Sequence, residues 1–402
     1  MPSTEKKALF FGVLLLVTVA LLEGAARVAL AVVAPRIGMD VRSTNAIFAE
    51  QSARVRTLLD DTEREVIDST LGWRYRPGYR NGADAVTAQG LRGDRLYDSL
   101  PPAGVLRFAA FGDSFVYGNE VGNADSWTAI VEQEAPRIEA LNFGVGGYGV
   151  DQAYLRYLAD GQRFSPHVVA MGFIADDLRR LVNVYRRFVD SREVALAKPR
   201  FVLDGGQQLV LLPNPLPTRS AYEGVLANPA SVKRLGEHDH WYDAAVYENP
   251  AYDVSGTVRL AVAAWSRVRN RYLDPDRLYL GEELNENSEA FRIQLVLFDR
   301  FLAAARERGV EPVILLFPDR LSLERRRAGS GTIYAPMARQ LAARGAPVVD
   351  LAEAFATVTD EPVDSWFMPG GHYSRRGNEI VASHVRARLE SFRPGSPGVA
   401  AR

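Results

Sequence analysis

Four short stretches hold residue types that chemistry could use. "FGDSFVYG" ends an apolar run in a glycine turn that carries Ser114. "NFGVGGYG" (142–149) is a glycine-rich turn, "FIADDLRR" holds adjacent acids, and "GGHYSRRGN" places His372 in a glycine-flanked loop. A hydroxyl on a strand-to-helix turn, amides free to face a developing oxyanion, and a histidine base are the parts of a covalent hydrolytic site. Each part also has a plainer use. Ser114 could cap the helix that follows it, and Asp113 could bond the amides of its own turn.

These stretches work together only if the fold brings them to one place. Apolar runs occur at 105–111, 138–143, 167–173, 312–317 and 346–351. Amphipathic helical patterns lie between most of them, and a last helix follows Ser374 as N-cap. Continuous apolar strands alternating with helices predict a doubly wound α/β domain, with a five-stranded parallel sheet covered on both faces. In such a sheet, loops after the strands gather at one edge, where ligands bind. The alternation breaks between about 180 and 288, a long insertion containing the hairpin signal "RFVLDGGQQLVLL". Its position predicts a part in shaping the site.

Three of the four stretches, taken in order, resemble the SGNH (GDSL-type) hydrolase superfamily over about 105–392. The resemblance implies that fold, here a flavodoxin-like sheet, with Ser114 as nucleophile and His372 as base. It aligns Gly147, five residues after Asn142, with the oxyanion glycine beside the amide of Ser114 itself. It implies a serine esterase or O-acyltransferase acting on acyl esters, with no metal or organic cofactor. Two positions depart from the family pattern. Asp176 stands where an asparagine would donate to the oxyanion. It is therefore expected to be protonated, to turn away, or to mark a site that is not catalytic. The usual acid positions before the histidine hold Pro369 and Gly370, so His372 is expected to be oriented by Asp364, the nearest upstream carboxylate eight residues away, or by a backbone carbonyl. The other reading left open is a non-catalytic glycan-binding or assembly protein of the cell envelope.

Other motifs have weaker claims. "GVGGYG" has the glycine spacing of a dinucleotide turn, but the next strand ends in "AMGF" without the acid such a site needs. "HDHW" (238–241) lacks a third ligand and reads as a solvated loop. His167 and His384 read as packing and surface residues.

Composition sets the outer limits. The 402 residues are 47% apolar and 24% charged, with net charge −1, which leaves no electrostatic footprint for nucleic acid. With no cysteine, thiol nucleophiles, disulfides and thiolate metal sites are excluded. Residues 1–7 form a short tail. Residues 8–33 read as a transmembrane signal anchor in which Glu23 and Arg27, four apart, share a helix face. The alternative is a signal peptide cleaved near "ALA" at 29–31. Residues 34–100 form an extension, and 101–395 the hydrolase-like domain. Either reading of the leader sends the domain to an extracytoplasmic, periplasmic-type location. The leader and the flank "LGWRYRP…QGLRG" resemble membrane-anchored envelope members of the superfamily, some of which handle acyl groups on polysaccharides. That likeness makes acylated glycans the expected substrate class.

Overall fold

The structure, a computed structural model, describes residues 4–34, 36, 41–60, 64–190 and 193–392. The first three residues of the N-terminal tail and the last three of the expected 101–395 domain lie outside them.

Five strands form the central sheet: β1 (Leu106–Phe111), β2 (Ile138–Asn142), β3 (Val168–Phe173), β4 (Glu311–Leu316) and β5 (Val348–Asp350). They are parallel and lie in the order β5-β4-β3-β1-β2, the doubly wound order of a flavodoxin-like sheet. Every residue of β1, β2 and β3 is buried, because helices cover both faces. The two-residue period of a strand divides the side chains between two cores. Ala109, Phe111, Val169, Met171 and Phe173 point into one, while Phe108, Ala110, Val168 and Ala170 point into the other.

The helices that bear on the sheet and on its attachments are α1 (Thr4–Val32), α2 (Trp127–Glu134), α3 (Val150–Asp160), α4 (Gly256–Val268), α5 (Glu289–Glu307), α6 (Ala335–Ala343) and α7 (Arg375–Glu390). α3, α5 and α6 bury their apolar stripes in the first core, and α2 and α7 in the second. Ser374 caps α7 as expected, its hydroxyl accepting from the Gly377 amide at 3.3 Å. The register pairs Phe111 with Met171, Ala110 with Asn142, and Leu316 with both Phe173 and Asp350. The strands therefore end nearly level, and the loops after them open on one edge.

Two segments before the sheet are built into the domain. Strand Glu65–Asp68 pairs with Gly72–Tyr75, and Leu71, Trp73 and Tyr75 are buried in the first core. α1 is long and apolar enough to cross a membrane, and none of its most apolar window is buried within the protein. Its last turns do make contacts. Arg27 Nε pairs with Glu23 at 2.7 Å, and the Glu23 carboxylate accepts from the Gly256 and Thr257 amides and the Ser255 hydroxyl at 2.7, 3.1 and 2.8 Å. Glu23 thus supplies an acceptor to the start of α4, whose first amides have no partner within the helix. Leu30 and Ala34 pack with Leu260 and Ala263. Within the insertion, Arg200–Leu203 and Leu209–Leu212 form the expected hairpin around Asp204.

Trp73 has no exposed surface and its indole NH donates to the Gly146 carbonyl at 3.3 Å, so it joins the segment before the sheet to the loop after β2. Trp73→Ala is expected to cost about 3–5 kcal/mol in chemical denaturation, the range for truncating a buried large aromatic. A loss below about 1 kcal/mol would mean that the segment before the sheet is not part of the cooperative core.

Candidate active site

The turn after β1 is held from three directions. Asp113 caps the single helical turn Ser114–Tyr117, its Oδ1 accepting from the Phe115 amide at 2.9 Å. Asn142, at the end of β2, donates from Nδ2 to the Val116 carbonyl at 2.8 Å and accepts from the Gly144 amide at 2.9 Å. The Val145 amide bonds the Gly112 carbonyl at 3.1 Å. A side chain at 144 is impossible in this arrangement, because its Cβ would lie 2.3 Å from the Tyr117 nitrogen. That contact accounts for the opening glycine of "GVGGYG" with no nucleotide involved.

Ser114 is buried (4% exposed), and its amide, like that of Gly147, donates to no acceptor among the described residues. The Gly146 amide, by contrast, is taken by the Tyr75 hydroxyl at 2.7 Å. Two free amides on adjoining turns are what an oxyanion site requires. Trp73 and Glu193, the latter from the insertion, stand beside Gly147: a methyl group placed there would lie 3.5 and 3.9 Å from them.

Arg180 ties these loops to the loop after β3. Its Nη1 donates to Asp113 Oδ2 at 3.0 Å, to Asp177 Oδ1 at 3.0 Å and to the Tyr148 carbonyl at 2.8 Å. Asp177 is fixed in turn by the Ile174 amide at 3.1 Å. Burial, followed by the nearby negative charge of Asp113, pushes the Asp177 carboxyl well above its ordinary value. Asp176 departs from the protonated-donor expectation. Its oxygens lie 3.1 Å from Arg179 and 3.2 Å from Arg180. Burial alone would raise its pKa, but Arg180, Arg179 and Arg186 outweigh burial and hold the carboxyl below the usual range. Asp176 is therefore a carboxylate that only accepts, and it cannot stand in for an asparagine donor.

The histidine loop gives a second correction. Asp364 does not meet His372; it is exposed and pairs with Arg320 at 2.7 Å. The carboxylate on the imidazole is Glu120, six residues after Ser114 on the same loop. Glu120 Oε2 lies 2.6 Å from His372 Nδ1 and also accepts from the His372 amide at 3.1 Å, while Oε1 accepts from the Gly370 amide at 2.8 Å. The neighbouring ring of Phe115 sits 5.4 Å from the imidazole, centroid to centroid. Nε2, the nitrogen left over, has no partner among the described residues. Glu120 reaches this position with φ 68°, a left-handed conformation costing about 1 kcal/mol in a residue with a side chain. Gly370 makes room for it, since a Cβ there would fall 2.5 Å from Glu120 Oε1. The glycine at a usual acid position is thus the space that Glu120 fills.

Of the expected site residues, Ser114, Gly147 and His372 border this edge, with Asp176 beside it as an arginine-bound carboxylate. Sequence reasoning missed Glu120 because it sought the acid near the histidine. The available signal was the Gly370-Gly371 pair, which fits a loop that another chain segment closely approaches. "HDHW" proves structural: buried Asp239 accepts from the amides of Val184, Tyr185 and Trp241. His167 accepts from the Arg107 amide at 3.0 Å, and among the described residues no group of three potential ligands could hold a metal ion.

A family model described as GDSL-like Lipase/Acylhydrolase family matches residues 110–380. Similar solved structures include a member of the lipolytic protein G-D-S-L family from Veillonella parvula, 12% identical, covering 72% of this chain and 98% of its own, with TM-score 0.31. A catalytic mutant of an acetylxylan esterase from Geobacillus stearothermophilus is 13% identical, with coverages of 73% and 98% and TM-score 0.37. An alpha/beta hydrolase enzyme from the metagenome of Lake Arreo is 14% identical, with coverages of 72% and 96% and TM-score 0.37. A search of the curated proteins finds no match.

The Glu120 pairing has a signature in stability. Burial opposes its ionisation, but the hydrogen bonds from the His372 side chain and from the His372 and Gly370 amides together hold its pKa below the ordinary 4.5. A depressed carboxylate contributes stability that is complete above the unfolded-state value and disappears as pH falls through the folded one. The urea midpoint of the wild type should exceed that of Glu120→Gln by a constant margin near neutral pH, and the margin should shrink below about pH 4.5. A margin unchanged down to about pH 3 would mean that the carboxylate is not bound as described.

Proposed function

The chain belongs to the GDSL-like lipase/acylhydrolase family, and from that premise we propose a membrane-anchored, extracytoplasmic serine esterase or O-acyltransferase working through Ser114, His372 and Glu120. The observation that carries the reading is the Glu120 carboxylate on His372 Nδ1, which fixes the tautomer and leaves Nε2 to act as base. Ser114 Oγ attacks the ester carbonyl as its proton passes to Nε2, and the amides of Ser114 and Gly147 receive the oxyanion. Collapse expels the alcohol, which takes that proton from His372, and leaves an acyl group on Ser114. Water, or a sugar hydroxyl, then attacks the acyl-enzyme with His372 again as base. The products are a carboxylic acid in one case and a new ester in the other. The missing acid was one ground for a non-catalytic reading, and the Glu120–His372 pairing supports the catalytic one instead.

Retention of α1 as an anchor is supported by its far end. Glu23 serves the start of α4, and Leu30 and Ala34 pack on Leu260 and Ala263. A leader cut at 29–31 would remove most of those contacts. An anchored domain at the envelope, built around a Ser-His site, favours O-acylated glycans as substrates.

With a chromogenic acetate ester, Ser114→Ala and His372→Ala should reduce turnover to background. Glu120→Gln should lower kcat by about 10³–10⁴-fold, the scale seen when the acid of a triad is neutralised. Asp364→Asn should stay within about twofold of wild type, because an exposed ion pair such as that with Arg320 contributes little. Turnover undiminished in Ser114→Ala would overturn the assignment, and a Glu120→Gln enzyme as fast as wild type would remove Glu120 from it.

A further inference from the structure

A cavity of about 410 Å³ opens beside the active-site loop, lined by Arg64, Asp84, Arg92, Tyr117, Asn119 and Glu120 among others. It adjoins the oxyanion turn, since a methyl group on Gly146 would lie 3.3 Å from Asn119 Nδ2. Its charges are unevenly matched. Asp84 is bound by the Tyr117 hydroxyl and by Arg64 at 3.3 Å, and Arg64 also meets Glu65 at 3.0 Å. Glu120 is occupied by His372 and two amides. Arg92 is the exception: 6% exposed, it forms no ion pair among the described residues. Its guanidinium lies 4.1 Å from the Tyr117 ring centroid, and Nη2 donates to the Val121 carbonyl at 2.7 Å. The Arg92 Nε and the Asn119 Oδ1 are buried without partners. Burial pulls the Arg92 pKa down and outweighs the opposing pull of Tyr117 and the nearby Asp84 carboxylate, which does not pair with it directly.

A buried guanidinium without a paired carboxylate is costly, and an anion in the cavity would offset that cost through the Arg92 Nη1, with the Asn119 amide NH2 as a second donor. We propose that this cavity is a subsite for one anionic group, a carboxylate or a phosphate, carried by the ester substrate and bound by Arg92 with Asn119 beside it. The role of the subsite in turnover rests on the esterase reading above; its binding of anions does not. The substrate class becomes acyl esters of acidic alcohols, such as an acid-bearing glycan or a phosphorylated one.

Three matched esters test this on the full chain in detergent: 4-acetoxybenzoate, 4-acetoxyphenyl phosphate and uncharged 4-acetoxybenzamide. For the wild type, kcat/KM for at least one anionic ester should exceed that for the amide by about tenfold or more, as a charge-assisted hydrogen bond provides. The ratio should fall towards one in Arg92→Gln and be partly kept in Arg92→Lys. Being internal to each protein, it does not depend on how much of a variant is folded. The preferred ester separates a carboxylate from a phosphate source. Inorganic phosphate should also raise the melting temperature of the wild type and not that of Arg92→Gln. Equal turnover of all three esters, or a preference intact in Arg92→Gln, overturns the proposal. If no ester is cleaved, the phosphate shift decides. A shift lost in Arg92→Gln upholds the subsite while the esterase reading falls, and no shift sinks the subsite.

Discussion

Arg180 is the constraint on which the edge that carries Ser114 depends. A parallel sheet brings loops to the same rim but does not fix them against one another. Here one buried guanidinium bonds Asp113 before the serine, the Tyr148 carbonyl next to Gly147, and Asp177 after β3. Two carboxylates this deeply buried would repel each other and lose their hydration without a cation between them. Removing Arg180 would therefore leave two facing acids without a cation directly behind Ser114. The same guanidinium, with Arg179, keeps Asp176 ionised.

The histidine is set by a different arrangement. The carboxylate on its ring comes from the loop of Ser114 rather than from its own, so Ser114 and Glu120 are placed by one short turn. Glu120 adopts a left-handed backbone there and bonds two amides of the histidine loop as well as the ring. The carboxylate thus both orients the imidazole and joins the serine and histidine loops. The cavity lined by Arg92 lies against the same turn, so the proposed anion subsite and the carboxylate on His372 share one support.

Much of this was legible in the chain. The five strands were, because continuous apolar runs between amphipathic helices leave few other folds. That Ser114, Gly147 and His372 would lie at one edge of the sheet was also legible, because each follows from the order of the strands and the turns after them. Glu120 was not, since the Gly370-Gly371 pair signals only that some segment comes close, while the reach of Glu120 to His372 depends on its left-handed backbone. Asp176 was located by its spacing, but its charge state is decided by Arg179 and Arg180, three and four residues later. The contribution of Trp73 and Tyr75 was hidden too, because strands of four residues in a glycine-punctuated stretch carry almost no periodicity.

The central claim is that Ser114 is a nucleophile made reactive by a His372–Glu120 pair. Its most direct measurement is the rate at which a fluorophosphonate modifies the full-length protein, followed by intact mass and peptide mapping. The account predicts one adduct per chain, on Ser114, formed in a time-dependent manner and slowed by orders of magnitude when Glu120 is replaced by alanine. No adduct, an adduct on another residue, or an unchanged rate in Glu120→Ala would contradict it.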